Sequence, residues 1–167
     1  MITKNPLKVE VEAIPALHVA YVRHVGPYKG DAALFERLFA QLFSWAGPRG
    51  LLAAPDLKVL AVYHDDPAGT AESELRTSVC ITVPATTKGE GDVKAMTIPG
   101  GTYAIAHFEL DSAEYEAAWQ VLYGSWLPGS GYQPDTKRSA FELYLNDPRE
   151  HPEHKHIVDI YLPVKKR

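Results

Sequence analysis

Cysteine is almost missing: Cys80 is the only one in 167 residues, which excludes a disulfide framework and fits a reducing cytoplasm. A basic excess is missing too. Seventeen Lys and Arg face 21 Asp and Glu, a formal net charge of −4, so nucleic acid is not expected as a direct partner, because phosphate binding leans on cations. No apolar run could span a bilayer, and the opening Met1-Ile-Thr-Lys-Asn-Pro6 lacks the apolar core of a leader peptide. A cytoplasmic chain without a membrane partner is therefore expected. A phosphate-cradling glycine loop and a dinucleotide fingerprint are absent, and Gly129-Ser130-Gly131 lacks the spacing of a nucleophile elbow. No cofactor is expected. His151, His154 and His156 crowd one short stretch, but no distant cysteine or histidine cluster completes a tetrahedral set, so no metal is expected either. Hydrophobic residues at 46% and charged residues at 23% leave a globular chain large enough to build its own core.

What is present is an internal repeat. Val9, Ile14, Pro15 and Ala20 recur 84 positions on as Val93, Ile98, Pro99 and Ala104, and at that offset Phe35 meets Trp119 and Leu38 meets Leu122. Later the offset tightens to 81 for Asp66-Pro67 against Asp147-Pro148, and to 79 for Pro55, Asp56 and Lys58 against Pro134, Asp135 and Lys137. Pro84 also meets Pro163 at 79. Smooth drift of this kind is what loop-length changes between two copies of one unit produce. The expectation is one domain, residues 1–167, with half-repeats at about 8–84 and 92–163.

Each copy reads strand, strand, helix, strand, strand. In the first, period-two alternation predicts strands over 8–13, 17–25, 57–63 and 75–83, and period-3.6 spacing predicts a helix from Asp31 to Trp45. In the second, strands are predicted over 92–98, 102–110, 139–145 and 156–162, with a helix from Asp111 to Trp126 opened by the capping box Asp111/Glu114. Residues 130–136 read as a loop. Cys80 falls mid-strand with no activating base, a quiet semi-buried thiol.

Alternation also assigns faces. Phe141, Leu143 and Leu145 read as helix-covered core, which puts Glu142 and Tyr144 on the opposite face with Tyr21, Tyr63, Tyr103, Tyr161 and Asp159. Five tyrosines with carboxylates on one face would suit a flat, partly apolar or cationic ligand; they are equally what strands favour with hydroxyls left in water. Glu142, mid-strand between Phe141 and Leu143 and replaced by Ala61 in the first copy, is the sharpest candidate. The alternative is an ordinary strand residue paired with Arg23 or Lys155.

Five stretches carry a resemblance: Val19-Ala-Tyr-Val-Arg-His-Val-Gly-Pro-Tyr28, Ala61-Val-Tyr-His-Asp-Asp-Pro67, Leu75-Arg-Thr-Ser-Val-Cys-Ile-Thr-Val-Pro84, Trp126-Leu-Pro-Gly-Ser-Gly-Tyr132 and Phe141-Glu-Leu-Tyr-Leu-Asn-Asp-Pro148. With them the chain resembles the GyrI-like small-molecule-binding family, which includes effector domains of AraC-type regulators and the DNA gyrase inhibitor protein. The resemblance implies an α+β fold of SHS2 type: a pseudo-twofold pair of βαββ units, antiparallel sheets and one long helix per half around a central groove. It further implies a multidrug-like site for hydrophobic, aromatic or cationic xenobiotic compounds, with the family's groove-floor glutamate at Glu142. Tyr144, Tyr103, Tyr63, Tyr21 and Trp126 are the expected lining. Some relatives hydrolyse cyclopropane-containing genotoxins, so a hydrolase with Glu142 as catalytic base, and Tyr103 or Tyr144 assisting, is one alternative. Inhibition of DNA gyrase by protein–protein contact is the other. Few residues precede the first strand, so a role in transcription is expected only through a partner regulator.

Overall fold

A computed structural model describes residues 5–167; Met1–Lys4, part of the segment read above for a leader, lies outside the described residues. The chain divides into two compact units, one running from Ala16 to Pro99, the other formed by the segment up to Pro15 together with Gly100–Arg167.

In the amino-terminal unit, β2 (Leu17–Val25), β3 (Val59–Tyr63), β4 (Arg76–Thr82) and β5 (Lys94–Ile98) form antiparallel ladders in the order β3-β4-β2-β5. Helix α1 (Ala32–Ala46) starts where Asp31 accepts the backbone N–H of Leu34 at 3.0 Å and stops at Gly47-Pro48, since proline cannot continue the ladder. Leu34, Leu38 and Leu42 recur every four residues and bury one stripe of α1 against Ala20, Val22, Val79 and Ile81 of the sheet.

In the carboxyl-terminal unit, β1 (Lys8–Ile14), β6 (Gly101–Leu110), β9 (His156–Lys166) and β8 (Ala140–Tyr144) follow in that order, with the short β7 (Tyr132–Pro134) on the far end of β9. Helix α2 (Tyr115–Val121) passes into a π-turn over Leu122–Trp126 and a 3-10 turn over Leu127–Gly129. Its Ala118, Leu122 and Leu127 pack on Ala104, Ala106, Phe108, Val158, Ile160 and Leu162.

The fold is therefore α+β with antiparallel sheets and one helix per unit, as the sequence led us to expect. The spatial units are not the two sequence copies, however: each copy's first strand pairs in the other unit, β1 with β6 and β5 with β2. Glu114 accepts the Asp111 N–H at 2.7 Å, while an Asp111 carboxylate oxygen sits 2.8 Å from Lys155 Nζ, and the helix proper begins at Tyr115. Strand β7 falls where a loop was expected; it exists because β9 runs on through Lys166 and offers an edge. No helix among the described residues is long and apolar enough to cross a membrane.

Candidate functional site

Glu142 lies at the centre of β8, opposite Ile160 of β9, and is 3% exposed. Two neutral donors hold its carboxylate. Trp119 Nε1, projecting from α2, donates to Oε2 at 2.6 Å, and the Tyr144 hydroxyl, two residues along the strand, donates to Oε1 at 2.7 Å. Hydrogen bonds of this kind are what let a carboxylate stay buried, since removing it from water otherwise costs several kcal/mol. Tyr123, 44% exposed, stacks on Trp119 with ring centroids 6.2 Å apart. Beside them Tyr115 shares a 2.7 Å hydrogen bond with Nδ1 of His156. Burial, and then the negative charge of Glu142, push the Tyr115 phenol far above its ordinary pKa, so it stays protonated. Burial also lowers the pKa of His156, and Asp111 only partly offsets that.

The site requires one correction of face. Because Trp119 of α2 reaches Glu142, Glu142 and Tyr144 lie on the helix-covered side of the sheet; Phe141 and Leu143 are the residues on the other side. Register agrees: Glu142 and Tyr144 sit opposite the core residues Ile160 and Val158, whereas Phe141 and Leu143 sit opposite Tyr161 and Asp159. A strand buried on both faces gives no alternation to read, and a slip of one residue inverts every assignment. Leu145, expected in the core, is 52% exposed.

The six residues expected to bind ligand therefore divide. Glu142 and Tyr144 touch, and Trp126 packs on the same core from the end of the π-turn. Tyr103 is on the opposite face, fully buried against Phe141 and Tyr161 with the Arg138 guanidinium 4.7 Å from its ring centroid. Tyr63 and Tyr21 belong to the amino-terminal unit, where Tyr63 packs on Tyr28 on the α1 side and Tyr21 lies beneath Arg23 on the other side. Of the two alternative partners, Lys155 pairs with Asp111 and Arg23 bonds Ser78.

Trp119, Tyr115 and His156 were not singled out as site residues from sequence. The repeat matches Trp119 to Phe35, an apolar residue, and helical spacing alone makes it space-filling; its indole N–H is the signal, because a buried indole needs an acceptor. Among the described residues no group of three or more His, Cys, Asp or Glu is placed to hold a metal ion. Cys80 is fully buried, and burial raises its thiol pKa far beyond the ordinary range.

One helix laid over an antiparallel sheet in each of two units is an architecture found in small molecule binding domains. The chain belongs to the GyrI-like family: residues 7–165 match the model of the GyrI-like small molecule binding domain. It is 34% identical over 165 residues to the DNA gyrase inhibitor of Serratia proteamaculans (strain 568), covering 96% of this chain and 99% of that protein. The EcmrR chain in its DNA complex shares the fold with a TM-score of 0.76 at 20% identity; the match covers 96% of this chain and 58% of that one. A further fold relative, SAV2435, was solved bound to tetraphenylphosphonium; it matches with a TM-score of 0.57 at 15% identity over 95% of this chain and 94% of that one.

Proposed function

We propose that this protein binds lipophilic cations and related hydrophobic aromatic compounds, with Glu142 as the counter-charge and Trp119, Tyr144 and Trp126 as aromatic wall. One observation carries the reading: a 3% exposed carboxylate clasped by an indole and a phenol on the helix side of the sheet. Ring faces attract a cation and a desolvated carboxylate pairs with it, while uncharged aromatic surface supplies contact area without selecting shape closely. Tyr123 and Trp119, stacked and partly open to solvent, are the side chains that yield as a ligand enters. The tetraphenylphosphonium held by SAV2435 makes that cation the natural first probe. A thermal-shift panel of tetraphenylphosphonium, planar cations and neutral compounds of similar size tests the reading, since a ligand that binds only the folded state raises its stability. Stabilisation by the cations ahead of the neutral compounds supports it; a flat panel sinks it.

A second reading has its own support, the name carried by the Serratia relative. On that reading the chain inhibits DNA gyrase by protein contact. A supercoiling assay with purified gyrase decides: inhibition that persists in Glu142→Gln and is unaffected by ligand favours this reading over the first.

A further inference from the structure

The two copies diverge at one set of equivalent positions on the sheet face away from the helices. In the carboxyl-terminal unit His107 sits between two carboxylates, its Nδ1 2.6 Å from Asp159 Oδ1 and its Nε2 3.7 Å from Glu10 Oε2. The repeat maps His107 onto Arg23 and Glu10 onto Lys94. The register then puts Ser78 where Asp159 stands, not Cys80 as the 79-residue offset at Pro163 would, since His107 faces Asp159 across β6 and β9 as Arg23 faces Ser78 across β2 and β4. Where one unit places a base between two acids, the other places two cations and a hydroxyl.

Arg23 Nε donates to Ser78 Oγ at 3.2 Å. A guanidinium only donates, so the Ser78 hydroxyl accepts there, which leaves its own proton available to Nε2 of His64, 2.8 Å away. His64 is neutral: burial foremost, then the charges of Arg23 and Arg76, lower its pKa to about 4, against a smaller opposing effect of Asp65. Arg76 is matched by Asp65, which accepts from its Nε at 3.0 Å and its Nη2 at 2.8 Å. Arg23 and Lys94, by contrast, enter no ion pair among the described residues.

Both cations line one cavity of about 430 Å³ at the edge of β2, past the end of β5. Tyr21, Val25 and Leu38 give it apolar walls and Gln41 an amide; Asp92 is its single acid. The Arg23 guanidinium lies 5.0 Å from the Tyr21 ring centroid, which steadies its planar fork.

We propose that this cavity is a binding site for a small organic carboxylate with an apolar body. The carboxylate pairs with Arg23 and Lys94, which no protein acid neutralises among the described residues, and the body lies on Tyr21, Val25 and Leu38. Nothing in this depends on the role of Glu142.

Benzoate is the probe, followed through the imidazole NMR signals of His64, assigned by their loss in His64→Gln. A carboxylate on Arg23 offsets the positive charge that Arg23 projects onto His64, so the signals move and the His64 pKa rises. The expected result is a saturable shift with benzoate and none with benzylamine. The midpoint is expected to weaken by at least about tenfold in Arg23→Gln and in Lys94→Gln, the scale of one charged hydrogen bond. Lys94 is exposed and supports no core residue, so Lys94→Gln remains informative if Arg23→Gln disturbs Ser78. The proposal is overturned by the absence of a saturable benzoate shift, by an equal response to benzylamine, or by an unchanged midpoint in folded Lys94→Gln.

Discussion

Replacing Trp119 by Phe deletes the Nε1–H that donates to Glu142 Oε2 at 2.6 Å while leaving an aromatic ring to stack on Tyr123. Glu142 is 3% exposed, so water has little access to replace the lost donor. Hydrogen bonds to charged groups contribute about 1.5–3 kcal/mol, and the smaller ring forfeits roughly 1 kcal/mol of buried apolar area. The expected loss is therefore about 2.5–4 kcal/mol. Tyr144→Phe removes the other donor, 2.7 Å from Oε1, with no loss of ring, and is expected to cost about 1.5–3 kcal/mol. The two share one acceptor group, so their effects should not add; a coupling of roughly 0.5–3 kcal/mol is the range for neighbours in one network. Urea denaturation of the wild type, both single variants and the double variant at neutral pH reads all four corners, provided the slope with denaturant is constant. Single losses below about 0.5 kcal/mol that simply add would refute the claim that these donors hold a buried charge.

Three more outcomes are expected. The His64 pKa of about 4 lies below its unfolded value near 6.5, so between those limits the unfolded chain binds more protons: the contribution is complete above pH 6.5 and is lost as pH falls towards 4. Thermal midpoints of the wild type against His64→Gln across that window test this, and parallel curves would contradict it. Phe141→Ala should cost about 3–5 kcal/mol, because the ring is fully buried and stacked 4.5 Å from Tyr161; a loss under about 1 kcal/mol in urea denaturation would mean that the face it packs on is not core. Gly101 has φ of +140° and Arg138 Nη1 stands 2.7 Å from where a Cβ would be, so Gly101→Ala should destabilise by at least about 1 kcal/mol in the same assay. An alanine that is neutral there would show that the close approach is not required.

Local pattern carried far where one physical signal stood alone. Helix α1, with an Asp cap, leucines every four residues and a Gly-Pro stop, was legible to within a residue at each end, and β2, a clean alternation ending at Gly26-Pro27, was legible in full. The duplication was legible because loops drift in length while elements do not. What escaped depended on tertiary partners. The exchange of first strands has no local signature, since β1 alternates in the same way whichever neighbour it pairs with. Strand β8 is apolar on one side, where Phe141 packs with Tyr161 and Tyr103, and polar-aromatic on the other because Glu142 and Tyr144 meet α2; its faces were read in reverse. That error placed Tyr103 with Glu142. The glutamate itself was found, but the indole that clasps it was not, because helical spacing alone cannot distinguish a tryptophan that fills space from one that donates.

In the proposed function the charge of Glu142 selects cations. Isothermal titration of tetraphenylphosphonium and of neutral triphenylphosphine oxide into the wild type and Glu142→Gln measures it directly. The change keeps the shape of the side chain and removes its charge. Affinity for the cation should fall by about 1–3 kcal/mol, roughly five- to 150-fold, with the neutral compound nearly unaffected. Equal losses for both compounds, or no loss for the cation, would contradict the account and leave Glu142 as part of the scaffold.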